Sequence, residues 1–307
     1  MVEVEVHDNH QIASDRPDQQ TPGEDMLLNP IVWPNGKTFG ASVTFDIDAD
    51  TLLRLARPDD ADRRLSALSV ARYEPTVALP RILETYRRLG LRQTFFIPGQ
   101  VMADNQEMVE AILAGGHEIG HHSWAHESPL DHSDEKEEEL FGRALETHVR
   151  LTGGKPRGYR APIYGITPAI VERLIREGFV YDSSMMADDL PYGLQTNRGS
   201  LIEIPAHWGT DDWPPFAHME EQHYVMPVRS PSAGMANFFE ELDAAREVGG
   251  FWMPVLHPFL TGRLARWRLM ERQLEAILEK GDVWIAPMEE IAAHARAQDS
   301  LRIEILS

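Results

Sequence analysis

Val43-Thr44-Phe45-Asp46-Ile47-Asp48 is an apolar run rich in β-branched and aromatic residues that ends in two carboxylates two positions apart. Side chains alternate across a strand, so Asp46 and Asp48 share a face while Ile47 turns into packing. A solvated loop start explains a lone aspartate equally well; the pair at a strand end can serve one site. Working outward, further strand candidates are Gly40 to Phe45, Arg92 to Ile97, His117 to Gly120, Gly158 to Arg160, Phe179 to Tyr181, Leu201 to Pro205, Gly250 to Leu256 and Asp282 to Ala286. Amphipathic segments lie between them, the alternation of a parallel β/α architecture.

Helix signals are clear at three places. Thr167-Pro168 opens a face of Ile170, Val171, Leu174 and Ile175 that Gly178 stops. Trp267, Met270, Leu274, Ile277 and Leu278 recur at threes and fours before Gly281, and Met108, Val109, Ile112 and Leu113 precede Gly115-Gly116. A further helix is expected near Val77 to Leu89. The fold class is therefore α/β, a single distorted TIM-like barrel of seven or eight strands over residues 31–307, preceded by a charged arm, extended or disordered, over residues 1–30. The stretches Asp48 to Val77 and His207 to Ser230 read as loops overhanging one end.

Of 307 residues, 49 are acidic and 29 basic, a formal charge of -20 that repels nucleic acid and anionic membranes. No cysteine occurs, which leaves histidines and carboxylates as the strong metal ligands. No basic, apolar leader opens the chain and no apolar run spans a bilayer, so the expected location is the cytoplasm.

His117-Glu118-Ile119-Gly120-His121-His122-Ser123-Trp124-Ala125-His126 holds four histidines in ten residues. His122 and His126 are four apart, which on a helical turn brings both rings to one side. A lone histidine is more often a packed or surface residue; four together favour ligation, with His117 and His121 left either to support the ligands from behind or to serve packing. Asp48, His122 and His126 leave open positions on Zn²⁺ or a similar divalent ion, the mark of a catalytic site, and free Asp46 to act as base. Arg160, in Gly158-Tyr159-Arg160-Ala161-Pro162, can pair with Asp46. His257, after Phe251 to Leu256, can protonate a leaving amine. All six follow candidate strands and gather at the C-terminal mouth of a barrel.

Together these residues resemble the polysaccharide deacetylases, the NodB-homology domain of carbohydrate esterase family 4. The motifs run in family order: Thr44-Phe45-Asp46, Thr94 to Gly99, His122-Ser-x-x-His126, Arg160-x-Pro162 and Leu256-His257. The resemblance implies a distorted (β/α) barrel, a metal that is usually zinc, Asp46 as base, Asp48, His122 and His126 as ligands, and His257 as acid. Two departures stand out. Ile47 separates the usual adjacent aspartates, and Ile163, followed by Tyr164, replaces an aromatic; a backbone N–H near 163 or 164 remains an oxyanion donor. The Asp-Ile-Asp spacing with His207-Trp208-Gly209-Thr210-Asp211-Asp212-Trp213-Pro214 is similar to a branch that contains peptidoglycan deacetylase-like proteins, cyclic imide hydrolases and allantoinases.

The expected function is hydrolysis of a non-peptide amide, with an N-acetylated amino sugar as substrate. A small cyclic imide or ureide is the alternative, and a non-catalytic carbohydrate-binding module the third. Tyr164, Trp208, Asp212 and Trp213 are the expected substrate contacts, with one aspartate able to orient His257 instead. The resemblance also implies a homo-oligomer.

Overall fold

The computed structural model describes residues 26–306. The expected N-terminal arm therefore lies, up to residue 25, outside the described residues; the buried Ile31 and Trp33 already belong to the packed body. The strands are β1 (Phe39–Ala41), β2 (Thr44–Asp46), β3 (Thr94–Ile97), β4 (Glu118–His121), β5 (Gly158–Tyr159), β6 (Tyr181–Asp182), β7 (Tyr192–Thr196), β8 (Gly199–Glu203), β9 (Phe251–Trp252), β10 (Val255–Leu256), β11 (Val283–Ile285) and β12 (Ile303–Ile305).

One sheet runs β10-β2-β3-β4-β5-β6-β8-β7-β12 and the other β11-β1-β9, with every pairing parallel except the β7–β8 hairpin. A parallel bridge between Asp211 and Val255 ties the chain beyond β8 back to β10, so the parallel strands wrap into a distorted barrel. Among the described residues no helix is long and apolar enough to cross a membrane.

Strand parity sets what faces inward. On β2, Phe45 points out into the helical layer, stacked on Phe95 at 5.6 Å and against Trp267 at 5.9 Å. Fully burying such a ring contributes roughly 1.5–3 kcal/mol, which fixes the register. Thr44 and Asp46 must then face the interior, where both meet Arg160.

Three expectations need correction. The runs Gly40 to Phe45 and Gly250 to Leu256 each break into two strands. At the break, Pro254 has no N–H to donate, and the Val43 N–H turns to the Gln93 side chain as its strand changes neighbour from β11 to β3. The Asp48 to Val77 stretch holds helices, Thr51–Ala56 and Leu65–Tyr73, and a wide helical turn, Glu74–Ala78, that leads into the helix Leu79–Leu89. The strands β7 and β12 went unread because Pro191 just before one and Gly193 within it, and an isolated triplet in the other, imitate loop sequence.

Helix ends follow their capping residues. Thr167 accepts the Ile170 N–H ahead of Pro168–Glu177, and Gly178 stops that helix at φ 83°. Leu264–Lys280 stops at Gly281 with φ 70°.

Candidate active site

The ends of β2, β4, β5 and β10 converge. Beyond β2 the Ile47 N–H still donates to the Phe96 carbonyl, so the extended backbone continues and carries Asp48 to the face that Asp46 occupies. Ala49 then turns at φ 48°, its N–H donating to Glu74 Oε1 at 2.8 Å. Asp48 is fully buried, yet neither of its oxygens accepts a hydrogen bond.

His122 and His126 are brought together by a tight turn and not by a helix. Ser123 and His126 take left-handed φ values of 59° and 62°, and the Glu127 carboxylate accepts the Ser123 hydroxyl and the N–H groups of Trp124 and Ala125 inside the turn. His122 Nδ1 donates to the Arg160 carbonyl at 2.7 Å, which directs Nε2 toward Asp48. Burial holds the His122 imidazole below its ordinary pKa, so the ring is neutral and its lone pair available.

His122 Nε2 lies 3.7 Å from Asp48 Oδ1, and His126 Nε2 lies 3.5 Å from Asp48 Oδ2. Ligand atoms about 2.0–2.2 Å from one tetrahedral ion stand roughly 3.3–3.6 Å apart, close to these edges. A buried carboxylate without hydrogen bonds, facing two imidazole nitrogens, is costly unless a cation sits between them. The donor set therefore fits a divalent metal. His121 and His117 serve packing: His121 stacks on Phe141 and bonds its carbonyl, and His117 accepts the Gln93 N–H.

Beside these three side chains, Asp46 Oδ1 accepts from Arg160 Nη1 at 2.7 Å. Burial disfavours its charge, but the Arg160 guanidinium, with His122 and His257, outweighs that and lowers the carboxyl's pKa. Arg160 is fully buried over the Phe96 ring and also donates to Thr44 Oγ1, Ser183 Oγ and the Ser183 carbonyl. Across the cavity, His257 Nδ1 bonds Asp212 Oδ1 at 2.7 Å, while Nε2 stands 3.6 Å from Asp48 Oδ2. Burial opposes charge on His257, but Asp212, Asp48 and Asp211 raise its pKa well above the ordinary histidine value.

A cavity of about 270 Å³ opens over these groups. Tyr164, Trp208, Trp213 and Tyr224 form its aromatic walls, with Trp208 edge-on to Tyr164 at 4.9 Å and Trp213 edge-on to His257 at 5.5 Å. Asp212, expected as a substrate contact, is not on the wall. It is fully buried behind His257, accepting the His257 N–H and the Thr261 hydroxyl as well as the ring. Its neighbour Asp211 lines the cavity instead. The Tyr164 N–H donates to the Ala161 carbonyl at 2.9 Å, which leaves Ile163 as the backbone donor of that turn.

Sequence reading missed Glu74, Glu127, Gln222 and Tyr224. Glu74 is fully buried and accepts the N–H groups of Ala49 and Phe259, joining the segment after Asp48 to the segment after His257. Burial and the Asp48 charge push its carboxyl up to about 8. A glutamate inside a helical stretch carries no signal of this; only Glu127, three residues after Trp124, had a legible turn-capping position.

The sequence profile of the family described as polysaccharide deacetylase matches residues 70–181. The peptidoglycan deacetylase of Helicobacter pylori is 28% identical over 261 residues, spanning 76% of this chain and 87% of that protein. A Mycobacterium smegmatis crystal structure assigned as a polysaccharide deacetylase superposes with a TM-score of 0.86 at 34% identity, covering 92% of this chain and 98% of that one. The chain belongs to the polysaccharide deacetylase family. This deacetylase-family protein is thus a hydrolase acting on carbon–nitrogen bonds other than peptide bonds. Its fold is shared by the Puue allantoinase, with a TM-score of 0.76 at 20% identity over 94% of this chain and 99% of that one.

Proposed function

We propose that residues 31–307 act as one catalytic barrel that removes an acetyl group from the nitrogen of an amino sugar, with zinc held by Asp48, His122 and His126. The observation that carries this reading is the buried Asp48 carboxylate, without hydrogen bonds and facing the Nε2 atoms of His122 and His126, next to an Asp46 that Arg160 keeps ionised. When bound, a divalent ion there supplies a Lewis acid that makes water more acidic and polarises a carbonyl.

The chain's own groups divide the proton work. Asp46, ionised and fixed by Arg160, takes the proton of the attacking water. His257, held in its charged form by Asp212, delivers a proton to the departing nitrogen. The Ile163 N–H meets the carbonyl oxygen as it gains charge. Trp208, Trp213 and Tyr164 enclose the acyl group and exclude water.

A second reading, a cyclic imide or ureide as substrate, is favoured by the small aromatic cavity, which at about 270 Å³ lies just below the usual range for ligand pockets of about 300–1,000 Å³. Purified protein should be assayed on N-acetylglucosamine oligomers and on succinimide, hydantoin and allantoin, before and after chelation and zinc return. Release of acetate that chelation abolishes and zinc restores is the expected result. Turnover confined to the ring compounds replaces the deacetylase reading with the second one, and inertness toward every compound rejects both.

A further inference from the structure

Asp211 and Asp212 are neighbours in sequence with opposite placements. The Asp211–Val255 bridge and the Asp212 N–H donated to the Val255 carbonyl at 3.0 Å pin the backbone here against β10. Asp212 drops behind His257, whereas Asp211 emerges on the cavity wall, only 3% exposed. An oxygen of Asp211, an oxygen of Asp212 and a ring nitrogen of His257 all lie within 4.8 Å of one another. Asp211 and His257 therefore line neighbouring parts of the cavity wall.

Two hydrogen bonds hold its carboxylate in place: Oδ2 accepts from the Tyr164 hydroxyl at 2.5 Å and Oδ1 from the Trp213 N–H at 2.7 Å. Among the described residues no lysine or arginine pairs with it. An ionised carboxylate offers about four lone-pair positions, so roughly two remain open toward a wall that is otherwise aromatic. Asp46 is turned to Arg160 and Asp48 to the imidazoles, so neither competes for a donor on this side. A buried carboxylate with spare acceptor capacity and no lysine or arginine partner is stabilised by an N–H that a ligand brings.

We infer that Asp211 accepts the hydrogen bond of the substrate's amide N–H and so positions the leaving nitrogen against His257. This rests on the C–N hydrolase reading above and holds for an acetamido group and a ring imide alike. In the reaction, the water oxygen bonds to the carbonyl carbon as Asp46 takes a water proton. The C–N bond then breaks with its electron pair going to nitrogen, and nitrogen receives the His257 proton. Asp211 takes part in no transfer; it holds the hydrogen already on nitrogen, turning the nitrogen lone pair toward His257.

An ester has oxygen in place of that N–H, which provides the test. Zinc-loaded wild type, Asp211→Asn and Asp211→Ala should be compared on 4-nitroacetanilide and 4-nitrophenyl acetate, two probes that differ by NH against O. Loss of a hydrogen bond to a charged group predicts that Asp211→Ala lowers kcat/KM for the anilide about 10- to 100-fold. Asp211→Asn, which keeps one acceptor, loses less. The ester rate stays within about threefold and serves as the check that each variant folds. Equal losses on both probes, or none on either, overturn the inference while leaving hydrolysis intact. So does a wild type that cleaves the ester alone. A wild type inert to both probes and to the amide panel instead rejects the C–N hydrolase reading.

Discussion

Asp48 and Glu118 are both buried carboxylates of the barrel, at opposite ends of the parallel strands, and their surroundings differ in one respect. Glu118, at the start of β4, is saturated: Thr94 Oγ1 and the Glu289 N–H donate to one oxygen, and the Tyr181 hydroxyl donates to the other at 2.8 Å. The N-terminus of the helix Met288–Arg296 is thereby stitched to β3 and β4. Asp48, past the end of β2, has no donor at all among the described residues. A satisfied buried carboxylate serves the fold, whereas one left bare at the cost of about 1–3 kcal/mol or more serves a ligand.

The contrast breaks most visibly at Asp48. Asp48→Asn is expected to remove bound metal and lower kcat/KM by about 10²-fold or more, while leaving the metal-free protein as stable as before or more so. Elemental analysis, kinetics and melting in chelator read the three effects. Clear destabilisation without metal loss would place Asp48 in the same class as Glu118.

Glu118→Ala should do the reverse, costing about 1–3 kcal/mol of stability with unchanged activity per folded molecule in denaturant titrations. Its pH signature is defined. Burial pushes Glu118 up to about 7, so the folded state retains a proton that the unfolded chain releases near the ordinary glutamate value of 4.5. The resulting stability is complete below about 4.5 and declines as pH rises through about 7. Glu118→Gln should flatten that slope relative to wild type, and an unaltered slope would assign the titration to other groups.

Trp208, 47% exposed at the cavity mouth, marks the smallest effect. Trp208→Ala should raise KM by several-fold, corresponding to about 0.5–1.5 kcal/mol of aromatic contact, with kcat little changed. A fall in kcat alone would move Trp208 from the wall to the chemistry.

What was legible followed local rules. Period-two alternation placed Phe45 outside and Asp46 inside, and Thr167-Pro168 with Gly178 bounded a helix. Asp46, Asp48, His122, His126 and His257 line one cavity, with Arg160 buried behind Asp46, because each lies at or beyond the end of a parallel strand. Placements that depended on tertiary partners were not legible. The left-handed turn of Ser123 and His126 is the local exception, since its one sign was the neighbouring Glu127 that caps it, without which a spacing of four reads as helical. Asp211 and Asp212 are chemically alike in sequence, and only the register against Val255 sends one to the wall and the other behind the ring. Glu74 gave no sign, since its two acceptor contacts reach residues 25 and 185 positions away.

Glu74 also sets a condition on anyone who would remodel the mouth. The helical excursion between Asp48 and Leu79 looks like an interchangeable cassette, yet its last turn holds the backbone beside both Asp48 and His257. A transplanted cassette must bring its own anchor at that position. Without it, new specificity at the rim comes with a loosened catalytic floor.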